Sequence, residues 1–258
     1  MVVIQSYGVA VFLAFITMLC WGSWANTQKL AQKQWPFQLF YWDYAIGVLL
    51  LALVLAFTAG SSGSEGRSFL ADLAQADGKS LISAFLGGVV FNIANILLVA
   101  AIAIAGMAVA FPIGIGLALV LGVLTNYAAT PLGNPVILFS GVALVTVAIV
   151  LDALAYRRLP NSSSVTSAKG IVISLLAGFL MGFFYRFVAA SMATDFVNPM
   201  AGKLTPYSAS VVFAVGLLIS NFVWNSIFMY KPLTGEKVTY KDYFVKGDTK
   251  LHLIGILG

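Results

Sequence analysis

The stretch VAAIAIAGMAVAFPIGIG, Val99–Gly116, contains no charged side chain and therefore points to a chain that crosses a membrane. A helix that crosses a bilayer core of about 30 Å needs about 20 apolar residues. The apolar sequence on both sides of this stretch makes it far longer than one crossing, and Gly106 in its middle suits a tight turn. We therefore predict two membrane-spanning helices joined by a hairpin at Gly106.

The same kind of run recurs along the chain and predicts an all-α, polytopic transmembrane helix bundle. Seven runs are long enough for complete spans: Ser6–Gln28, Pro36–Ala59, Ser80–Ile104, Met107–Thr130, Pro135–Tyr156, Gly170–Ser191 and Pro206–Tyr230. The segment FLADLAQA after the second span predicts a short surface helix. An eighth span starts near Leu251 with LHLIGILG, which is too short to cross. We expect either an end that lies against the other helices or a truncated helix, and we favour truncation.

Composition agrees with a membrane protein. Of 258 residues, 60% are hydrophobic and 9% are charged, whereas soluble domains have roughly 25% charged residues. Lipid must therefore be the solvent for most of the chain. The net charge of +5 lies in the loops, which is typical of the basic bias of cytoplasmic loops and not of nucleic-acid binding.

Lysine and arginine near the span ends predict the orientation. One side holds ten of these residues, and the other holds Arg67, Lys79 and Lys203. Because cytoplasmic loops are enriched in basic residues, we predict an inner cell membrane protein with its N-terminus outside. The polar run at 157–169 predicts a linker between a first five-helix half, 1–156, and an incomplete second half, 170–258. Two halves joined in this way are typical of secondary transporters.

Ionisable side chains inside the spans are candidates for a solute site. A charge near the bilayer centre costs about 2.5–3.5 kcal/mol on insertion scales, so such groups pair or line a cavity. Asp43 in YWDYAIG either faces a solute cavity, as acceptor or proton carrier, or lies at the interface among aromatic rings. Arg186 in FFYRFVAASM either binds solute or a carboxylate such as Asp43, or extends to the interface.

Amide and indole side chains form a second group of candidates. Asn92 and Asn95 share a helix face, where they can hydrogen-bond a neutral solute or a neighbouring helix. Trp21 and Trp24 also share a face, with Asn26 about one turn further. They predict either a stacking wall for a planar or sugar-like solute or an interfacial tryptophan belt. Three further amides lie nearer span ends and are predicted to be structural: Asn126, Asn221 and Asn225.

Pro112, Gly114 and Gly116 interrupt the fourth span. Proline removes a backbone hydrogen bond and glycine loosens the helix. At membrane depth such a break needs protein or a wet cavity around it. We predict a hinge that bends or lines the pathway, with a packing kink as the alternative.

Motifs for catalysis are absent from the sequence. No phosphate-binding glycine loop followed by lysine is present, and the single His252 leaves neither the usual catalytic triads nor a histidine cluster for a metal. The single Cys20 excludes an internal disulfide framework. We therefore predict no enzyme, with no catalytic residues, no metal and no cofactor.

The motifs WGSWANTQKL, at 21–30, and AIAGMAVAFPIGIGLALVLG, at 103–122, together resemble the drug/metabolite transporter superfamily. The closer resemblance is to its branch of ureide permeases and bacterial glucose and rhamnose porters, and it covers most of the chain. It implies ten helices in two halves of five that work by alternating access. This chain differs because it ends inside the eighth helix and has a short central linker. The implied cavity is lined by the candidate residues Trp21, Trp24, Asn26, Asp43, Asn92, Asn95 and Arg186.

These observations predict an integral membrane permease for a small polar solute, such as a ureide, a nucleobase-like compound or a sugar. Its expected partners are the solute and the lipid bilayer, with a proton or cation gradient or facilitated diffusion as the driving force and no nucleic acid. Two alternatives stay open. One is an efflux transporter of the same superfamily for amino acids or amphipathic compounds, and the other is a non-transporting membrane scaffold or receptor fragment.

Overall fold

The structure is a computed structural model that describes residues 1–31, 34–158, 168–233 and 235–258. Within these ranges the chain forms helices and no strand, apart from an isolated bridge between Met192 and Leu204. The helices are α1 (Tyr7–Ala31), α2 (Phe37–Phe57), α3 (Ala59–Ser62), α4 (Phe69–Gln75), α5 (Gly78–Ala105), α6 (Met107–Ala129), α7 (Pro135–Arg157), α8 (Ala168–Ser191), α9 (Pro206–Tyr230), α10 (Tyr240–Lys246) and α11 (Thr249–Leu257).

The predicted polytopic bundle is confirmed, and the chain is a multi-pass membrane protein. Among the described residues, six helices are long and apolar enough to cross a bilayer: α1, α2, α5, α6, α8 and α9. Helix α7 adds a shorter apolar stretch, Pro135–Leu151. The predicted hairpin is also present, because Gly106 adopts a φ of 79° between α5 and α6. The predicted surface helix after the second span is α4.

The chain forms two compact units. Unit 1 comprises Met1–Gly88 and Ala190–Gly258, and unit 2 comprises Val89–Ala189. The sequence halves 1–156 and 170–258 stay a prediction, because compactness groups residues by proximity and not by repeat. Residues 159–167 of the predicted linker lie outside the described residues.

The centre of unit 1 is an antiparallel pair formed by α2 and α9. Near the start of α2, the Trp42 ring lies 4.8 Å from that of Phe222. Near its end, Ala56 shares a buried apolar cluster with Val211. The residue numbers thus rise along one helix as they fall along the other, which sets the register of the two helices.

One end of this pair is held by a hydrogen-bonded network around Arg67. The Arg67 guanidinium donates to the Asp72 carboxylate at 2.8 Å, to the Pro199 carbonyl at 2.6 Å and to the Lys203 carbonyl at 2.7 Å. The second Asp72 oxygen accepts the Thr205 backbone N–H at 2.7 Å, directly before α9. Because Asp72 is fully buried, this network fastens α4 to the loop that leads into α9.

Unit 2 contains a close contact between α6 and α8. A methyl group at Gly178 would collide with the backbone carbonyl of Gly114. Small residues that let two backbones approach are typical of helix contacts in membranes. The predicted hinge residue Gly114 therefore lies in a packed contact, and α6 stays helical through Pro112.

We predict that Gly178→Ala destabilises the protein because the added methyl group meets backbone and not a movable side chain. The expected loss is about 1–3 kcal/mol of unfolding free energy, the usual cost of overpacking. Denaturation in detergent measures it. The control is Gly141→Ala, where an added methyl group has no neighbour within 4 Å. Equal stability of the two variants would contradict the close α6–α8 contact.

We predict that Asp72→Ala destabilises the protein by about 3 kcal/mol, because it leaves the Arg67 charge and a buried N–H unpaired. Thermal unfolding measures the loss. The control is Lys246→Ala, which breaks a largely exposed ion pair with Asp242 at 3.0 Å and should cost less than about 1 kcal/mol. A loss for Asp72→Ala no larger than that of the control would exclude a role for the network in folding.

Candidate functional site

The candidate site lies in unit 1, around a carboxylate buried in a membrane-spanning helix. Asp43 of α2 has 2% of its surface exposed. One of its oxygens accepts the hydroxyl of Tyr243 from α10. The other lies 2.9 Å from Nδ1 of His252 on α11. Both oxygens of the buried carboxylate therefore have partners from short helices near the end of the chain.

Local sequence explains why Tyr243 and His252 reach α2. Helix α10 starts with a capping box in which Thr239 and Asp242 hydrogen-bond each other's backbone N–H groups. The Thr239 hydroxyl, the neighbouring Lys246 and the Thr239 N–H lower the pKa of Asp242 to about 2. Helix α11 starts at Asp248, whose carboxylate accepts the Leu251 N–H at 2.7 Å. These caps fix where each short helix begins and so which side chains face α2.

Glycine allows α11 to approach α2 closely. A methyl group at Gly47 would collide with the Ile256 carbonyl oxygen, and one at Gly255 would collide with the Asp43 side chain. Both positions thus need a residue without Cβ. This approach carries His252 to the Asp43 carboxylate.

Aromatic rings enclose the carboxylate and its partners. The Trp35 ring is 4.6 Å from the His252 ring and 5.8 Å from the Tyr243 ring, both edge-to-face. Trp35 is 1% exposed, and it belongs to an apolar cluster with Trp42. Such edge-to-face pairs add about 0.5–1.5 kcal/mol each beyond area burial. The site is therefore a titratable cluster inside an apolar wall.

The environment makes Tyr243 a permanent donor. Burial, together with the hydrogen bond to Asp43 and its negative charge, raises the pKa of the Tyr243 hydroxyl above its usual value. Tyr243 therefore keeps its proton at physiological pH, and its hydroxyl donates a hydrogen bond to Asp43. The His252 side chain is 29% exposed, so it connects the buried carboxylate with the surface. Imidazole is suited to relay protons near neutral pH.

The other predicted site residues of unit 1 differ in how close they lie to this cluster. Trp24 packs against Tyr44, next to Asp43, with the ring centroids 5.9 Å apart and the ring planes tilted by 40°. Trp21 is 45% exposed, and Asn26 is also exposed. The structure thus brings Trp24 near the Asp43 turn and leaves Trp21 and Asn26 on the surface. Their roles in solute binding stay predictions.

The remaining candidates belong to unit 2. Asn92 and Asn95 are both buried in α5, whereas Arg186 on α8 is exposed. Pro112 and Gly116 line a small pocket together with Ile149. The binding role of the two amides and Arg186 and the hinge role of Pro112, Gly114 and Gly116 stay predictions.

Tyr243 and His252 are not among the candidates predicted from the sequence, because the segment after α9 is predicted as a loop followed by an incomplete span. Two features could have found them. The spacing of Thr239 and Asp242 is that of a capping box and predicts a helix start. A lone histidine in the apolar run LHLIGILG is a titratable group that needs a partner.

Comparisons with known proteins identify relatives. Residues 40–166 match the ureide permease family, a segment that contains Asp43. Ureide permease 2 of Arabidopsis thaliana is 32% identical over 162 residues, covering 61% of this chain and 41% of the relative. Ureide permease 1 of the same plant is 23% identical over 302 residues, covering 94% and 77%. The probable ureide permease A3 of Vigna unguiculata is 30% identical over 171 residues, covering 64% and 44%.

The matches show that the chain is similar to ureide permeases, while the wider superfamily and its bacterial branch stay predictions. The chain spans about two fifths of the length of ureide permease 2, the relative with 32% identity. No solved structure matches the chain.

We predict that Tyr243→Phe lowers stability more than Tyr240→Phe does. Tyr243 donates to a buried carboxylate, a bond worth about 1.5–3 kcal/mol, whereas a neutral hydrogen bond is worth about 0.5–1.5 kcal/mol. Tyr240 is the matched control because it lies on the same helix and shares its hydrogen bond with the neutral Ser226 hydroxyl. Unfolding in detergent measures both losses, and the reverse order would contradict the role of Asp43 as anchor of α10.

Proposed function

We propose that this chain, a relative of the ureide permeases, is a membrane permease that moves a small, uncharged polar solute of the ureide class by alternating access. The family match over residues 40–166 supports a permease, and the membrane-length helices supply the transport framework. The observation that carries proton coupling is Asp43, a carboxylate in a membrane span that is held by Tyr243 and His252. Ionisable groups at such depth are typical of proton relays.

The geometry supports a simple proton cycle. The partly exposed His252 takes a proton from water and passes it through Nδ1 to the Asp43 oxygen 2.9 Å away. A protonated Asp43 is a weaker acceptor for the Tyr243 hydroxyl, since charge-assisted hydrogen bonds are about twice as strong as neutral ones. The hydrogen bonds that join α10 and α11 to α2 then become weaker. Loss of the proton restores it.

The proposed orientation of the chain in the membrane decides from which side the cluster takes its protons. If the N-terminus lies on the outer side of the cell membrane, the lysines around α10 and α11 face the cytoplasm. This orientation agrees with the enrichment of basic residues in cytoplasmic loops. The titratable cluster then takes its protons from that side. We propose a transporter and not an enzyme because the relatives are permeases, and because Tyr243 and His252 each contact Asp43 and so join short helices to α2. Nucleobase-like compounds and sugars are competing solutes for the assay.

We predict that Asp43→Asn uncouples transport. In proteoliposomes with an imposed pH gradient, accumulation of labelled allantoin, a cyclic ureide, should be lost, while exchange of solute across the bilayer persists. The reason is that asparagine keeps the size and a hydrogen-bond acceptor but carries no titratable proton. The matched control is Asp195→Asn, an exposed carboxylate outside the spans that accepts the Val197 and Asn198 N–H groups.

Three outcomes decide between the parts of the proposal. Wild-type protein that moves neither allantoin nor the competing solutes would overturn the permease function. Accumulation by Asp43→Asn equal to that of wild type would remove Asp43 from coupling. Equal losses in Asp43→Asn and Asp195→Asn would show a general effect of carboxylate removal and would also exclude the cluster as the coupling site.

A further inference from the structure

Three amide side chains of α2 and α9 are buried in unit 1. Asn221 and Asn225 of α9 have 0% of their surface exposed, and Gln38 of α2 has 1%. Asn225 Nδ2 donates to the Gln38 backbone carbonyl at 2.7 Å. We call this set the amide seam. From the sequence, Asn221 and Asn225 are predicted to be structural. The hydrogen bond from Asn225 to α2 agrees with a structural role for that residue.

Most hydrogen-bonding atoms of the amide seam are not used by the protein. Among the residues that the structure describes, four of these atoms have no hydrogen-bond partner: Asn221 Nδ2, Asn221 Oδ1, Asn225 Oδ1 and Gln38 Nε2. Native proteins pair the great majority of buried polar atoms, and each exception needs an explanation. Apolar side chains would fill this place without that cost. The unused atoms therefore point to a ligand that pairs with them.

The register of the two helices places these residues within about one helical turn of each other along the bundle. Asn225 contacts Gln38, and Phe222 contacts Trp42 one turn further along α2. Asn221 lies one turn before Asn225 on α9, so the two amides point to nearly the same side of that helix. The amides thus line a single seam, whereas the Asp43 carboxylate is occupied by α10 and α11.

We propose that the amide seam is the solute-binding site and that it selects neutral solutes with the N–H and C=O pattern of a ureide. The two unused NH₂ groups donate to the carbonyl oxygen of the solute. The two unused amide oxygens accept its N–H groups. No charged side chain belongs to the seam, so ions gain no partner there. This inference rests on the proposed permease function and assigns solute binding to residues separate from the proton-coupling cluster.

The test is Asn221→Leu in the full-length chain, with thermal stability and binding of allantoin both measured. Leucine has a similar volume and removes two unpaired polar atoms, so without solute the melting temperature should rise. Binding should weaken about tenfold or more, because the solute loses two hydrogen bonds in a buried place. The control is Asn126→Leu in α6, whose Nδ2 already donates to the Gly122 carbonyl at 2.7 Å; it should leave binding unchanged.

The outcomes separate this inference from the proposed function. Wild-type flux combined with unchanged binding in Asn221→Leu overturns the amide seam as the solute site and leaves the permease function standing. A lower melting temperature of Asn221→Leu also overturns the seam, because it would mean that the amide holds the helices together. If wild-type protein shows no flux, the permease function fails, and a higher melting temperature of Asn221→Leu still supports a polar-ligand site.

Discussion

The contact of Asp43 with Tyr243 and His252 is the interaction on which the rest of unit 1 depends. A carboxylate in a membrane span is costly unless its oxygens are hydrogen-bonded. Here the two partners come from α10 and α11, 200 and 209 residues further along the chain. Satisfying one side chain thus brings the end of the chain back to α2. The glycines at 47 and 255 make the approach possible, and Trp35 closes the apolar wall around it.

Two buried carboxylates in unit 1 have different chemistry because their partners differ. Asp72 pairs with Arg67, whose guanidinium stays charged at every physiological pH. Asp43 pairs with a tyrosine hydroxyl and an imidazole, neither of which carries a permanent charge. The first network is therefore permanent. The second holds its carboxylate with hydrogen bonds and without a fixed positive charge.

The sequence was sufficient to predict the spans, because bilayer thickness dictates their length and the apolar runs show it directly. The hairpin at Gly106 and the short helix α4 were also predictable, since each depends on residues close in sequence. The cluster around Asp43 was not. Helices of seven and nine residues, such as α10 and α11, are too short to show a clear period, and no local pattern links Asp43 with His252.

Helical spacing alone also could not decide what the candidate residues contact. Trp21 and Trp24 share a face by spacing, yet Trp24 packs on Tyr44 while Trp21 is exposed. Asn221 and Asn225 lie toward the end of their span, and that position alone suggested a structural role. Their burial and unused hydrogen-bonding atoms depend on the register with α2, which the sequence of α9 does not contain.

The Arg67 network has a mechanical consequence for α2 and α9. The network fixes the end of the α2–α9 pair that lies near α4. The two helices can therefore tilt about this fixed end, the fulcrum. From Phe57 to Asp43, α2 runs about 21 Å at 1.5 Å per residue. A tilt of only about 10° around the fulcrum would therefore move the Asp43 end by about 4 Å, more than the diameter of a water molecule. A small angular change at one end of the pair thus suffices for a large displacement at the other end.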